Sequence, residues 1–192
     1  MSAVAAVILA AGQGTRFGPE PKLLSLLRGK PLVRHVAEAA LASRVAPVIV
    51  VTGHGAGEVE AALIDLPLRI VRNAFHAEGL STSLKAGIAE CPAEAEAALV
   101  LLGDMPLIGP VLIDAIESAW DGRSSAVVPT HEGRRGNPVL LSRALFAEIG
   151  SLKDDSGAGQ ILRRRSDVVE IPVGDPAVLQ DVDTAEALLA MR

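Results

Sequence analysis

The sequence predicts an α/β protein: a three-layer, doubly wound, mainly parallel sheet with a small antiparallel insertion in its C-terminal half. Three observations carry this expectation. Short runs rich in Val and Ile recur, amphipathic stretches of helical period lie between them, and the alternation continues from Val4 past Val128. Strand alternating with helix implies right-handed crossovers and a parallel sheet covered on both faces. At 192 residues the chain can bury one substantial core and is short for two, so one domain over residues 1–192 is expected.

The runs Val4 to Leu9, Val48 to Val51, Leu68 to Val71, Ala97 to Leu102 and Ala126 to Val128 each lead into turn residues and read as buried strands. From Pro31 to Ser43, Leu32, Val33, Val36, Ala37, Ala40 and Leu41 recur at three- and four-residue spacing, with Pro31 at a first helical position. Ala56 to Ile64, Ser81 to Cys91, Pro110 to Trp120 and Arg143 to Ile149 behave similarly. His35 and Trp120 are left as packing or surface residues. Beyond Pro129 the alternation loosens into a turn at His131 to Gly136, a strand-like Pro138 to Leu141 and a polar loop Lys153 to Gly159. This half is expected to hold the antiparallel insertion and a second-substrate surface.

Composition narrows the function. At 49% apolar and 21% charged the chain is globular. Aromatics make up only 2% and the net charge is −5, which argues against a nucleic-acid partner. Cys91, the one cysteine, excludes an internal disulfide and any multi-cysteine metal cluster. No run approaches the roughly 20 apolar residues of a membrane span, and the apolar start lacks a basic segment before it, so a cytoplasmic protein with no membrane partner is expected.

In open parallel sheets ligands bind at the carboxyl ends of the strands, so the loops after the strands carry the chemistry. After the first strand the chain reads Leu9-Ala10-Ala11-Gly12-Gln13-Gly14-Thr15-Arg16-Phe17-Gly18-Pro19-Glu20-Pro21-Lys22. Small residues let backbone N–H groups approach phosphate oxygens, and Arg16 and Lys22 add two cations. Gly12, Gly14 and Gly18 imitate a dinucleotide fingerprint with one extra residue. Pro19 and Pro21 interrupt the helix that fingerprint needs, however, and no carboxylate ends the second strand to hold a ribose. A Walker loop is excluded because no Gly-Lys-Ser or Gly-Lys-Thr closes the motif. A long, proline-stiffened loop ending in lysine suits a triphosphate.

Asp104 follows the strand Ala97 to Leu102 and reads either as a cap or, beside a triphosphate, as a ligand for a hard divalent cation. Asp181-Val182-Asp183-Thr184 supplies further carboxylates. Asp183 reads as a metal ligand or, alternatively, as the cap of a final helix Thr184 to Met191.

The loop Leu9 to Lys22 resembles the signature of nucleotidyltransferases that activate sugar phosphates, isoprenoid precursors and molybdopterin. Gly103-Asp104-Met105-Pro106, Asp181-Val182-Asp183-Thr184, Val51-Thr52-Gly53, Gly79-Leu80-Ser81-Thr82-Ser83-Leu84 and Arg135-Gly136-Asn137-Pro138-Val139 resemble motifs of the molybdenum cofactor cytidylyltransferase branch, the MobA/MocA-like NTP transferases. Together they run from Val7 to Thr184 in order, and they imply a Rossmann-like nucleotidyltransferase fold.

The resemblance implies roles for individual residues. Leu9, Ala10, Ala11, Gly12, Gly14, Lys22 and Thr52, with Gly79, Leu80 and Ser81, would hold the nucleotide. Ser81 reads also as a helix N-cap. Arg16, Lys22 and Asp104 would be catalytic, and Asp104 and Asp183 would hold magnesium or manganese. Arg135, Gly136, Asn137 and Pro138, with Arg134, would face the acceptor. The implied reaction is transfer of CMP from CTP to the terminal phosphate of molybdopterin or molybdenum cofactor with release of pyrophosphate, and a molybdenum oxidoreductase would receive the product. Leu-Ala-Ala-Gly is similar to the cytidylyltransferase form, the Ala11 methyl disfavouring a purine. GTP, or another acceptor such as a sugar phosphate, is the alternative within the class. A non-catalytic cofactor carrier is the alternative outside it. The chain departs from the branch at Ser156-Gly157-Ala158-Gly159-Gln160, where relatives often place an arginine after Gly-Ala, and at Asp183-Thr184-Ala185, where they have Asp-Thr-Pro.

Overall fold

A computed structural model describes residues 3–14, 17 and 21–191. The chain runs β1 (Val4–Ala10), β2 (Leu26–Leu27), β3 (Lys30–Pro31), α1 (Leu32–Leu41), β4 (Val48–Thr52), α2 (Ala56–Ala61), β5 (Arg69–Arg72), α3 (Leu80–Ala89), β6 (Ala97–Leu102) and α4 (Pro110–Ser118). It continues through β7 (Ala126–His131), β8 (Arg134–Arg135), β9 (Val139–Ser142), α5 (Phe146–Ile149), α6 (Ala158–Leu162), β10 (Val168–Pro172) and α7 (Ala185–Ala190).

Among the described residues the main sheet orders its strands β10-β7-β9-β6-β1-β4-β5, with β8 paired to β7. β1 pairs parallel with both β4 and β6, β4 with β5, and β7 with β10. β9 runs antiparallel between β6 and β7, and β8 is antiparallel to β7. This is the expected mainly parallel sheet with an antiparallel insertion in the C-terminal half. The order reverses at β1, since β4 and β5 lie on one side and β6 on the other, and a crevice opens at such a switch point.

β1 is buried throughout because both of its faces are covered. Val4, Ala6, Ile8 and Ala10 share one cluster with Val33, Val36 and Ala40 of α1 and Ile113 and Ile116 of α4. Val7, Leu9 and Ala11 share the other with Leu84 and Ile88 of α3 and Ile161 and Leu162 of α6. Alternate residues of a strand face opposite sides, so the two clusters are the two interlayer cores. Gly87 lets α3 lie directly on the sheet: a Cβ there would come 2.3 Å from Val7 Cγ1 and 3.0 Å from Val51 Cγ2. Gly87→Ala is expected to destabilise the protein by about 1–3 kcal/mol, read as a lower urea midpoint with unchanged slope.

Four details differ from the sequence reading. The strand expected at Leu68 to Val71 is β5, an edge strand with Arg69, Ile70 and Arg72 exposed, because no partner covers that flank. β10 was not anticipated: Val168, Val169 and Ile171 alternate with Glu170 too briefly to stand out, and parallel pairing with β7 extends the segment. The β2–β3 hairpin was also missed; Arg28 and Gly29, both at positive φ, make its two-residue turn. Pro31 stands at the N-cap of α1 rather than inside it. Among the described residues no helix is long and apolar enough to cross a membrane.

Candidate active site

The carboxyl ends of β1, β4 and β6 are tied together by their own backbones. Gly103 N–H donates to Leu9 O at 3.0 Å, and His54 N–H donates to Ala11 O at 3.2 Å. The glycine-rich loop therefore leaves the sheet beside the segment that carries Asp104. Lys22 opens a short 3-10 turn, Lys22–Leu24, in which Leu23 is buried and anchors the backbone. The lysine stem passes beneath Gly14, and the ammonium reaches Asp104 Oδ2 at 2.6 Å and Asp183 Oδ1 at 3.2 Å.

Asp183 arrives from the far end of the chain through one backbone contact and one core. Val182 N–H donates to Asp104 O at 2.9 Å, and the fully buried Val182 side chain packs with Phe17, Leu27, Leu32 and Leu188. The two acidic residues that flank Val182 are thereby held against Asp104. Oxygen atoms of Asp104, Asp181 and Asp183 lie within 4.8 Å of one another. Asp181, which the sequence offers in the same motif as a further carboxylate, joins the expected pair Asp104 and Asp183. Burial, and then the negative charges of Asp183 and Asp104, push its carboxyl above the usual range, with Lys22 opposing. For Lys22, burial alone would lower the pKa, and the Asp104 charge with hydrogen bonds to Asp104 and Asp183 outweighs it, leaving the ammonium above its usual value. The choice left open for Asp183 resolves at the final helix: the Thr184 hydroxyl accepts from Ala187 N–H and caps α7.

A cleft of about 640 Å³ lies over this group. Of the residues expected to hold nucleotide, Leu9, Ala11, Gly12, Gly14, Lys22, Gly79 and Leu80 line it, with Asp104 and Asp183. Ala10, Thr52 and Ser81 do not: all three are buried, Ala10 inside the sheet, Thr52 donating to Glu60, and Ser81 within the first turn of α3. The N-cap of α3 is Gly79 rather than Ser81, at φ 111° and ψ 171°, a conformation open to glycine. Arg16 lies outside the described residues. The cleft also takes in His76 and Asp155. The His76 Nδ1 atom is buried with no hydrogen-bond partner among the described residues.

A second cavity of about 340 Å³ adjoins the first, sharing Leu9, Leu80 and Leu102 as a common wall. Arg135, Gly136 and Asn137 line it with Val100, Val128 and Arg163, whereas Pro138 does not. Arg135 is less available than its position suggests. Its guanidinium is paired with Glu170 at 2.7 Å and donates to Leu162 O at 3.3 Å. Arg163, missed in the sequence, contributes an exposed cation to the same cavity. Cys91 lies away from both cavities, and burial raises its thiol to about 11, the behaviour of a packing residue.

The MobA-like NTP transferase domain family matches residues 6–168. The bifunctional protein GlmU of Sorangium cellulosum (strain So ce56) is 36% identical over 167 residues, 84% of this chain and 32% of that protein, so the chain spans about a third of that relative. Nicotine blue oxidoreductase of Paenarthrobacter nicotinovorans is 34% identical over 193 residues, 96% of this chain and 94% of that one. Among solved structures, Rv0371c of Mycobacterium tuberculosis H37Rv in complex with manganese is 25% identical with a TM-score of 0.82, covering 98% of this chain and 97% of its own.

Proposed function

Since this chain belongs to the MobA-like NTP transferase family, we propose that it transfers CMP from CTP to the terminal phosphate of molybdopterin or its molybdenum form, releasing pyrophosphate. One observation carries the reading: the Lys22 ammonium, held between Asp104 and Asp183 at the switch point of the sheet, faces a cleft walled by the small residues of the glycine loop. A cation fixed beside such a loop suits a triphosphate.

The acceptor's phosphate oxygen forms a bond to the α-phosphorus, and the bond from that phosphorus to the bridging oxygen breaks, so pyrophosphate leaves with the bonding electrons. No general base is required, because a phosphate monoester with a second pKa of about 6 is already largely dianionic at neutral pH. The protein aligns the two reactants and offsets charge. Lys22, backbone N–H groups of the loop and Arg16 meet the phosphates. Asp104 and Asp183, joined by Asp181, are a hard oxygen donor set that fits magnesium or manganese. When bound, such a cation supplies charge neutralisation at the phosphates. The complex of Rv0371c with manganese supports a divalent ion in this fold.

The second cavity supports a pterin as acceptor. Apolar side chains such as Val100, Val128 and Leu84 offer a surface on which a flat ring can lie, and Asn137 and Arg163 offer partners for its polar edge. The product would pass to a molybdenum oxidoreductase.

The reading is tested by pyrophosphate release with magnesium or manganese, molybdopterin or its molybdenum form, and CTP, GTP, UTP or ATP in parallel. Release is expected with CTP and is expected to stop on chelation by EDTA. Release only with GTP, release with none of the nucleotides, or release only when a sugar phosphate replaces molybdopterin in a parallel sample would overturn it. A redox reading has one observation in its favour, the likeness to nicotine blue oxidoreductase over almost the whole chain. Against it, β4 ends in Thr52 rather than in a carboxylate placed for a dinucleotide ribose. NADH and NADPH oxidation in the same samples is expected to be absent.

A further inference from the structure

Asp155 lies on the polar loop that follows Leu152, far in sequence from the glycine loop, yet it lines the nucleotide cleft. The loop is fastened to the start of α3. Ser81 N–H donates to Asp154 O at 3.1 Å, Gly79 packs flush against the Asp154 carbonyl, and Leu80 N–H points at Asp155 Oδ1 at 3.4 Å. Among the described residues that amide is the one donor in contact with the Asp155 carboxylate, and the residue is exposed and lines the cleft. Asp154 holds φ 53°, a left-handed conformation that turns the following residue toward α3.

The cleft is chemically divided. Lys22, paired with Asp104 and Asp183, supplies the cation. Leu9, Leu80 and Leu102 line the same cleft with apolar surface, and Asp155 is fastened to the Leu80 amide. An exposed carboxylate repels a triphosphate, so it belongs beside the part of the ligand that offers donors. The α3 N-terminus stabilises its negative charge. The donor on a nucleoside triphosphate at the end away from the phosphates is an exocyclic amino group, and Asp or Glu accepting from the cytosine N4 amino group is the established form of that contact.

We propose that Asp155 reads the base: its carboxylate accepts a hydrogen bond from the exocyclic amino group of cytosine and rejects uracil, which presents an oxygen acceptor at the same position. This rests on the nucleotide-transfer reading of the cleft. It adds a specificity residue from a loop with no part in the glycine motif.

The test is direct binding of CTP, UTP, ATP and GTP in the presence of manganese, without acceptor, to the wild type, Asp155→Asn and Asp155→Ala. Wild type is expected to bind CTP about tenfold or more tighter than UTP. In both variants that ratio is expected to collapse toward unity, chiefly by loss of CTP affinity, with UTP affinity held or improved as the repulsion is removed. Asp155→Asn keeps an acceptor for Leu80 N–H, so it stays informative if Asp155→Ala loosens the loop; thermal melting of each variant monitors that. Parallel weakening of all four nucleotides would overturn the proposal in favour of a purely structural role for the loop. So would a wild type that prefers UTP or GTP, or a CTP preference that survives both variants. A wild type that prefers ATP, with the preference lost in the variants, would sink the cytidylyl reading and leave Asp155 as a reader of amino-bearing bases.

Discussion

Lys22→Met is expected to lower kcat for pyrophosphate release by roughly 100- to 1,000-fold, the usual cost of removing one preorganised electrostatic contact to developing charge. Methionine preserves the buried stem and removes only the ammonium, so the 3-10 turn anchored by Leu23 is expected to persist. The fall is expected in kcat more than in the KM for CTP, because the charge being offset grows as the leaving pyrophosphate departs. Without the ammonium, Asp104, Asp181 and Asp183 repel one another unrelieved, and the Asp181 carboxyl is expected to rise further. The pH dependence follows from the sign of the Lys22 shift. Its folded pKa lies above the usual 10.5, so its stabilising contribution is complete below 10.5 and is lost as pH rises through the folded value. Stability of Lys22→Met relative to wild type is therefore expected to be flat from pH 6 to 9, checked by urea titration across that range. A variant with near-wild-type turnover would remove Lys22 from the mechanism.

Gly79→Ala is the second large effect, and it acts through shape. A Cβ at this position would stand 2.3 Å from the Asp154 carbonyl carbon, 2.4 Å from its oxygen and 2.8 Å from Asp155 N, all backbone atoms that cannot rotate aside. The glycine also holds φ 111°, which side-chain-bearing residues rarely adopt. Strain and overlap together are expected to cost about 2–4 kcal/mol, a fall of roughly 5–15 °C in Tm for a chain of this size. Nucleotide affinity is expected to fall as well, since the displaced loop carries Asp155 and the displaced helix start carries Leu80. Calorimetry and nucleotide titration on the same preparation check both. Unchanged melting with unchanged affinity would mean that the loop does not rest on α3 in solution.

The layered fold was legible because β1, β4 and β6 are buried on both faces and so appear as continuous apolar runs, while α1 and α4 show clean helical spacing. Edge elements were harder to see. β5 carries Arg69 and Arg72, and β10 carries Glu170, because one flank of each meets solvent; their identity as strands comes from pairing with β4 and β7. The glycine loop, Lys22 and Asp104 were likewise legible, since the loop follows β1 and closes on Lys22, Asp104 follows β6, and together they combine residue types that suit phosphate and metal chemistry.

By itself, the sequence determined the doubly wound class, the phosphate-suited loop, Lys22, and the carboxylates Asp104 and Asp183, since these follow from local composition and period. Tertiary structure alone decided that Asp181 joins Asp104 and Asp183, that Glu170 engages Arg135, that Ala10, Thr52 and Ser81 lie beneath the cleft, and that Asp155 stands at its rim. Each of those facts depends on a contact between distant segments: Val182 on Asp104, Glu170 on Arg135, Asp154 on Gly79. Local preferences carry no information about such encounters, because they arise when buried side chains such as Val182 find the one packing that satisfies both the core and the backbone hydrogen bonds around it.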